Sequence, residues 1–451
     1  MFVKREFNRL FWPVLIEQVL ATTIGMVNTM MVSGVGVSAI SAVSIVDSLN
    51  LVIMNLFISF ATGATVVVAQ QVGAQETHKA NETASQAMTA CVMTALLSGV
   101  AFIIFGNQII NLLFGQAEEQ VKASAMIYLV FSGISYPFLA TFSMSAGILR
   151  ASGNTKAPMR ASIISNIINV CVGVLCINFL KLGVAGAGIA LVSARVVAAG
   201  TLALVLFRPE KGVGISTIAL KLKKDILWPV MKIGIPTGID GLIFNGGKVI
   251  IQTFVTALGT VALAANSVAS SVTGFISIPG NAISIVAVTM VGQAVGSGVF
   301  GKDLKKMMRT LVGYSIGLLS VMSIICFPVL PFILDLYAPP EDVKNIAQQI
   351  MYLVLILMPL TWPIAFNLPS CIRSTGDTLF LTIASILSMW FVRVLGAWAS
   401  VNVLNWGLMG IWVFWCADWI VRSVVFIIRA STSPYINRDP CNKTIIHESL
   451  T

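Results

Sequence analysis

Residues 12–28 read WPVLIEQVLATTIGMVN. The stretch is apolar enough for a bilayer, yet a carboxylate, Glu17, follows its proline, Pro13, by one helical turn. A charge at membrane depth is costly and is retained where it has a partner or a task. Both the lipid environment and the task have to be read from the rest of the chain.

Working outward, runs of this kind fill the sequence. Of 451 residues, 57% are hydrophobic and 10% charged, against about 25% charged in ordinary soluble domains. A helical crossing needs about 20 apolar residues. Twelve such runs are present, at 11–35, 44–71, 84–110, 124–149, 161–180, 185–207, 226–257, 264–295, 310–334, 346–371, 379–400 and 407–429. They are too long and continuous for barrel strands, and helices satisfy their own backbone hydrogen bonds in lipid. The sequence therefore predicts an all-α integral membrane protein. Its first run is too long for a cleaved signal and reads as a retained helix.

Net charge is +10, and its placement is informative. Lys4, Arg9, Lys79, Lys156, Arg208, Lys224, Lys302, Arg309 and Arg429 fall with others in the N-terminal segment, the even-numbered loops and the tail. The odd-numbered loops carry only Lys122, Lys181 and Lys344. The positive-inside rule then puts both termini in the cytoplasm of a multi-pass cell-membrane protein. Basic residues beside a bilayer, with no soluble domain to present them, argue against a nucleic-acid partner. The seven cysteines form no C-x-x-C and read as small apolar residues. Both histidines, His78 and His447, lie outside the runs, so no catalytic or metal-binding histidine is expected in the membrane. No phosphate-binding loop is present either, so no nucleotide is expected. Neither an enzyme nor a resident cofactor or metal is predicted.

The chain is written twice. A shift of 223 residues lays Pro13 on Pro236, Glu17 on Asp240, Gly36 on Gly259 and Glu118 on Glu341. The same shift lays VAQQVGA at 68–74 on VGQAVGS at 291–297, and RASGNT at 150–155 on RSTGDT at 373–378. One added residue then aligns GVAG at 183–186 with GLMG at 407–410. Six crossings per half is an even number, so the halves are parallel repeats, and transporters place substrate between such halves. The expected organisation is a six-helix bundle at 1–207, a basic cytoplasmic linker at 208–225 with room for a short surface helix, a second bundle at 226–430, and a cytoplasmic tail at 431–451.

This ordered set of residues resembles the MATE (multidrug and toxic compound extrusion) family of cation-coupled antiporters. It comprises an early proline in the first and seventh spans, Gly-Gln-x-x-Gly-like ends to the second and eighth, and Arg-x-x-Gly-[Asn/Asp]-Thr after the fourth and tenth. The resemblance implies two six-helix bundles around a central cleft, from which substrate leaves as H+ or Na+ enters. It also implies that spans one, two, seven and eight line much of that cleft. The chain departs from the family at one site. Asn28 stands where many members have an aspartate in the first span. Asn169 matches a family asparagine in the fifth span, but Gly173 stands where some members have a second aspartate.

With those carboxylates gone, the chain's own intramembrane charges become the candidates. Glu17 and Asp240 each follow a proline by four residues, about 10 Å into the membrane, counting from the start of the first run and from about residue 233 in the seventh. Two readings stand: a coupling carboxylate in each half, or an acid paired with a base such as Lys232. Lys248 lies about 22 Å along the seventh span, counting from about residue 233, and needs either a carboxylate, for which Asp240 and Glu17 are candidates, or a water-filled cavity. Asp418 and Arg422, at i and i+4, can pair along one helix face. With Arg393, which has Trp390 and Trp398 near it in sequence, they read as a structural charge cluster; coupling in the second half is the alternative. Arg195 receives the same structural reading. Asp47 is placed near the start of the second span, as a helix cap or as a vestibule group, with Asn50 further along as a polar contact. Arg150 and Arg373 end their spans, where lipid phosphate and helix dipoles would hold them, and Gly153 and Gly376 make the turns that follow.

The functional expectation is a cation-coupled (H+ or Na+) secondary antiporter exporting drugs and other amphiphilic or cationic small molecules by alternating access. It would act as a monomer among membrane lipids. The alternative is a flippase or exporter of a lipid-linked or polysaccharide precursor on the same fold.

Overall fold

The computed structural model describes residues 2–115, 118–208, 213–215, 219, 221–337 and 339–437. These form sixteen α-helices and no strand. They are α1 (Phe2–Ser33), α2 (Val37–Gly73), α3 (Thr77–Ile104), α4 (Gly106–Phe114), α5 (Glu119–Ala151), α6 (Lys156–Val174), α7 (Gly183–Phe207) and α8 (Lys224–Ala257). There follow α9 (Thr260–Ile276), α10 (Ile278–Gly296), α11 (Gly301–Asp335), α12 (Glu341–Trp362), α13 (Leu368–Arg373), α14 (Leu379–Leu387), α15 (Leu395–Asn402) and α16 (Gly407–Thr432). Three π-helical stretches, Leu175–Phe179, Pro363–Asn367 and Ser388–Val394, extend or join neighbouring helices. Among the described residues, twelve helical segments are long and apolar enough to cross a membrane, as the sequence predicts.

The eighth crossing differs from its predicted form. A continuous span over 264–295 is broken at Ser277, leaving the shorter apolar α9 ahead of α10. Pro279 supplies the reason: it has no amide hydrogen and its ring crowds the carbonyl one turn back.

The chain separates into two compact units, the first ending at Gly238 and the second beginning at Ile239, so α8 runs through both. In the first unit, α5 packs against α2, α3 and α7, and α6 against α1 and α7. Gly99 and Gly133 let α3 and α5 approach closely: a Cβ on Gly99 would lie 2.5 Å from the Gly133 carbonyl oxygen. Small residues of this kind drive helix association where there is no hydrophobic effect between helices. In the second unit, α12 packs against α9, α11 and α16 around buried Met351, Met358, Trp412 and Trp419.

The repeat reaches the backbone. Gly153 has φ +83° and Gly376 +96°, and each amide donates back to the arginine carbonyl three residues earlier, at 2.9 and 3.0 Å. Only glycine enters this region without strain. The left-handed Lys181 and Asn405, at φ 52° and 54°, are likewise counterparts ahead of α7 and α16.

Parts of the predicted linker (209–212, 216–218 and 220) and of the predicted tail (438–451) lie outside the described residues, as does most of the room for a short linker helix. The described linker residues dock on α3. Gly214 N donates to Asn81 Oδ1, Lys223 N to Gln86 Oε1, and Gln86 Nε2 to the Lys221 carbonyl.

Candidate functional site

The charges read from the sequence gather at three places. The first answers the question Glu17 poses. Its side chain is buried, and Arg150, from the end of α5, donates through Nη1 to Oε1 at 2.9 Å and to Oε2 at 3.1 Å. The partner is thus an arginine 133 residues away. In the second unit, Arg373 at the end of α13 reaches Asp240 Oδ2 through Nη2 at 3.5 Å, again across 133 residues. The sequence reading had sent both guanidiniums to lipid phosphate and helix dipoles. Both instead turn onto the acid that follows the proline. Gly153 and Gly376 make the turns just beyond.

The second place is a cavity of about 480 Å³ in the first unit, lined by Asn28, Asp47, Asn50, Asn166, Asn169 and Arg195 among others. Asn50 organises one wall. Its Nδ2 donates to Asp47 Oδ1 and Ser132 Oγ, and its Oδ1 accepts from Tyr136 Oη at 2.8 Å. Arg195 Nη1 donates to Ser135 Oγ. Asn169 is 4% exposed, and its Oδ1 has no hydrogen-bond partner among the described residues. One correction follows. Asp47 is no helix cap: α2 begins at Val37, so Asp47 sits ten residues in, about 15 Å from the end. Arg195, which has no acid close to it in sequence, shares this wall with Asp47. The two family aspartates are replaced in different ways. Asn28 keeps a polar group on the wall, whereas Gly173 is covered by Met31, whose Sδ and Cε would stand 2.8 Å from a Cβ there.

The third place lies in the second unit, around a cavity of about 220 Å³ lined by Asp240, Phe244, Asn281, Phe366, Arg373 and Arg422 with neighbours. Asp418 is fully buried; its Oδ1 accepts from Arg422 Nε at 2.9 Å and from Ser388 Oγ. Arg422 Nη2 also donates to the Ser385 carbonyl. The i, i+4 pair is therefore present. Arg393 joins it differently from the sequence reading. It lies in the π-helical stretch Ser388–Val394, with its guanidinium 3.4 Å from the Trp415 ring centroid, while Trp390 and Trp398 are exposed. Lys248 is corrected too. Its ammonium lies over the Phe244 ring at 4.9 Å, and no carboxylate of the described residues is within ion-pair reach. Asp240, offered as its counter-charge, is engaged by Arg373.

Tyr136, Ser135 and Asn166 escaped the sequence reading. Neutral hydrogen-bonding residues in apolar helices leave little trace, although Asn166 and Asn169 on one face of α6 were a usable signal.

A doubled, all-helical chain with twelve crossings and charges held at membrane depth is built as a multi-pass membrane transporter. The family model described as MatE matches it twice, over residues 13–175 and 236–399, and the chain belongs to the MATE family of transporters. Both matches start at the prolines that open the repeat. Among relatives, the "Uncharacterized transporter YisQ" of Bacillus subtilis is 26% identical over 439 residues, covering 95% of this chain and 94% of that protein. The "Probable multidrug resistance protein NorM" of Thermotoga maritima is 26% identical over 449 residues, covering 94% and 92%. A solved MOP superfamily transporter from Pyrococcus furiosus, described as having a binding pocket of reverse polarity, shares the fold at TM-score 0.88 and 18% identity, covering 96% of each chain.

Proposed function

We propose that this protein is a cation-coupled secondary antiporter that exports amphiphilic or cationic small molecules by alternating access, with H+ or Na+ as the only co-substrate. The observation that carries the reading is the repeated acid–arginine pair, Glu17–Arg150 and Asp240–Arg373. Each pair ties a proline-bearing helix to the end of another helix of its repeat. A cation or proton arriving at the carboxylate competes with the guanidinium and loosens that tie. Ion binding thereby acquires a different affinity for the tied and untied states, which is what coupling requires. Relatives named as multidrug resistance proteins support the cargo class.

The cavity around Asn28, Asp47 and Asn169 is of drug size and mixes apolar walls with a few polar anchors. Arg195 on its wall favours the second reading, export of an anionic lipid-linked or polysaccharide precursor. The paired acids favour the first. The positive loops support cytoplasmic termini and a cell-membrane location, and two complete repeats in one chain support a working monomer.

The test uses purified protein in liposomes with pH and Na+ gradients imposed separately, following efflux of a fluorescent cationic dye. Dye movement driven by one gradient, and lost in Glu17→Gln and Asp240→Asn, is the expected result. No movement under either gradient would reject the exporter. Movement that survives both substitutions would reject the role of the pairs.

A further inference from the structure

A cavity of about 700 Å³ in the first unit belongs to none of these sites. Its lining includes three cations, Lys156 and Arg160 on α6 and Arg208 just past α7. All three side chains are exposed, and no ion pair links any of them to another described residue. Below them the lining turns apolar, with Ile164, Leu204 and Val205. The two helices are packed together and run in opposite directions, and each shows the same gradient. On α6, Lys156, Arg160 and Ile164 follow at steps of four residues; on α7, Arg208 is followed inward by Leu204 and Thr201. Such steps put each series on one helix face. The result is a groove with a basic mouth at the helix ends and an apolar floor reaching about 12 Å into the span. The Ser152 and Thr201 hydroxyls on its lining donate to carbonyls of their own helices, at 2.8 and 2.7 Å, and Asn154 Oδ1 accepts from Ala157 N, so the cations and the Asn154 amide nitrogen are the groups left to meet a ligand.

General surface positivity does not account for it, because the second unit lacks the feature at the matching place. The repeat lays Lys156 on Leu379, Arg160 on Ile383 and Arg208 on Thr432. Leu379 and Ile383 are exposed apolar residues. The nearby charges there are consumed internally: Arg429 binds Asp377 through Nε and Nη2 at 2.7 and 3.0 Å and lies over the Phe380 ring. Ser433 donates to the same carboxylate, and Ile436 beyond it in sequence is buried. One corner of the repeat is closed by its own ion pair; the other is an open basic groove.

We propose that this groove binds an anionic phospholipid, with its headgroup phosphate held by Lys156, Arg160 and Arg208 and an acyl chain lying along Ile164, Leu204 and Val205. Basic pockets between helices at a membrane face take such headgroups. The apolar floor is what distinguishes a lipid from free phosphate, which has no use for it.

The test is native mass spectrometry of the purified full chain equilibrated with equal amounts of dioleoylphosphatidylglycerol and dioleoylphosphatidylcholine. The expected result is preferential retention of phosphatidylglycerol by about tenfold or more, abolished in Lys156→Gln/Arg160→Gln/Arg208→Gln. The control Lys302→Gln/Lys306→Gln/Arg309→Gln should keep the preference. Should the first triple variant fail to fold, Arg160→Gln alone is expected to lower the preference by about fivefold. Equal retention of both lipids by the parent chain overturns the proposal, as does an equal loss in the control. Displacement of phosphatidylglycerol by millimolar inorganic phosphate assigns the groove to free phosphate and overturns the lipid.

Discussion

The two units hold the same pair at the same spacing, but not equally tightly. Glu17 presents both oxygens to one arginine nitrogen at 2.9 and 3.1 Å, with its side chain 8% exposed. Asp240 offers one oxygen at 3.5 Å, with its side chain 19% exposed and a cavity beside it. One methylene separates the two acids, and the longer one closes the gap. The lesson is that a duplicated frame fixes where the charges stand, while side-chain length sets how firmly they hold. The tie in the second unit is the weaker of the two.

Substitutions can break that contrast, and the largest effect is expected at Glu17. Glu17→Gln strands Arg150 in a mostly buried place and should lower unfolding stability in detergent by about 3 kcal/mol. Glu17→Gln/Arg150→Gln should recover part of the loss, a coupling that a double-mutant cycle reads directly. Asp240→Asn should cost only about 1 kcal/mol, in keeping with its longer, wetter contact. Equal losses at the two acids would contradict the ranking of the ties. Asp240→Glu sharpens it from the other side: the added methylene should tighten the contact with Arg373, raise the melting temperature and slow dye efflux several-fold.

A further pair of variants probes the cavity of the first unit. Gly173→Asp should destabilise the protein by about 1–3 kcal/mol, because the new side chain meets Met31. Gly173→Asp/Met31→Ala should regain most of that, and melting curves of the two variants decide the matter. Effects as small as that at Asp240 are expected at the turns. Gly153→Ala and Gly376→Ala should each cost about 1 kcal/mol and by similar amounts, since both sit at positive φ.

Much of this was legible in the sequence. Apolar run length fixed the twelve crossings, and the constant shift exposed the repeat, Glu17, Asp240 and both turn glycines. The pairing of Arg150 with Glu17 was not, because it spans 133 residues and the arginine's place at a span end offered lipid phosphate as a nearer partner. Yet two acids and two arginines superposing under one shift was a signal for it. Asp47 was misread because the run was started at 44, whereas Gly36 lets the helix begin at Val37. Arg393 stacks on Trp415 rather than on the tryptophans close to it in sequence, since helix packing and a π-helical turn decide which ring it meets.

The acid–arginine ties have an electrical consequence. Arg150 ends the fourth crossing of its repeat, on the side where the first crossing begins, so under the proposed cytoplasmic N-terminus Glu17 lies near the inner face. Under the proposed H+ coupling, a proton reaching Glu17 from outside would cross most of the membrane potential on its way, and each elementary charge crossing the whole of it gains about 2.3 kcal/mol per 100 mV. Membrane voltage and the pH difference would therefore loosen the tie together, and a cell with a collapsed pH gradient but an intact potential would still be able to open it.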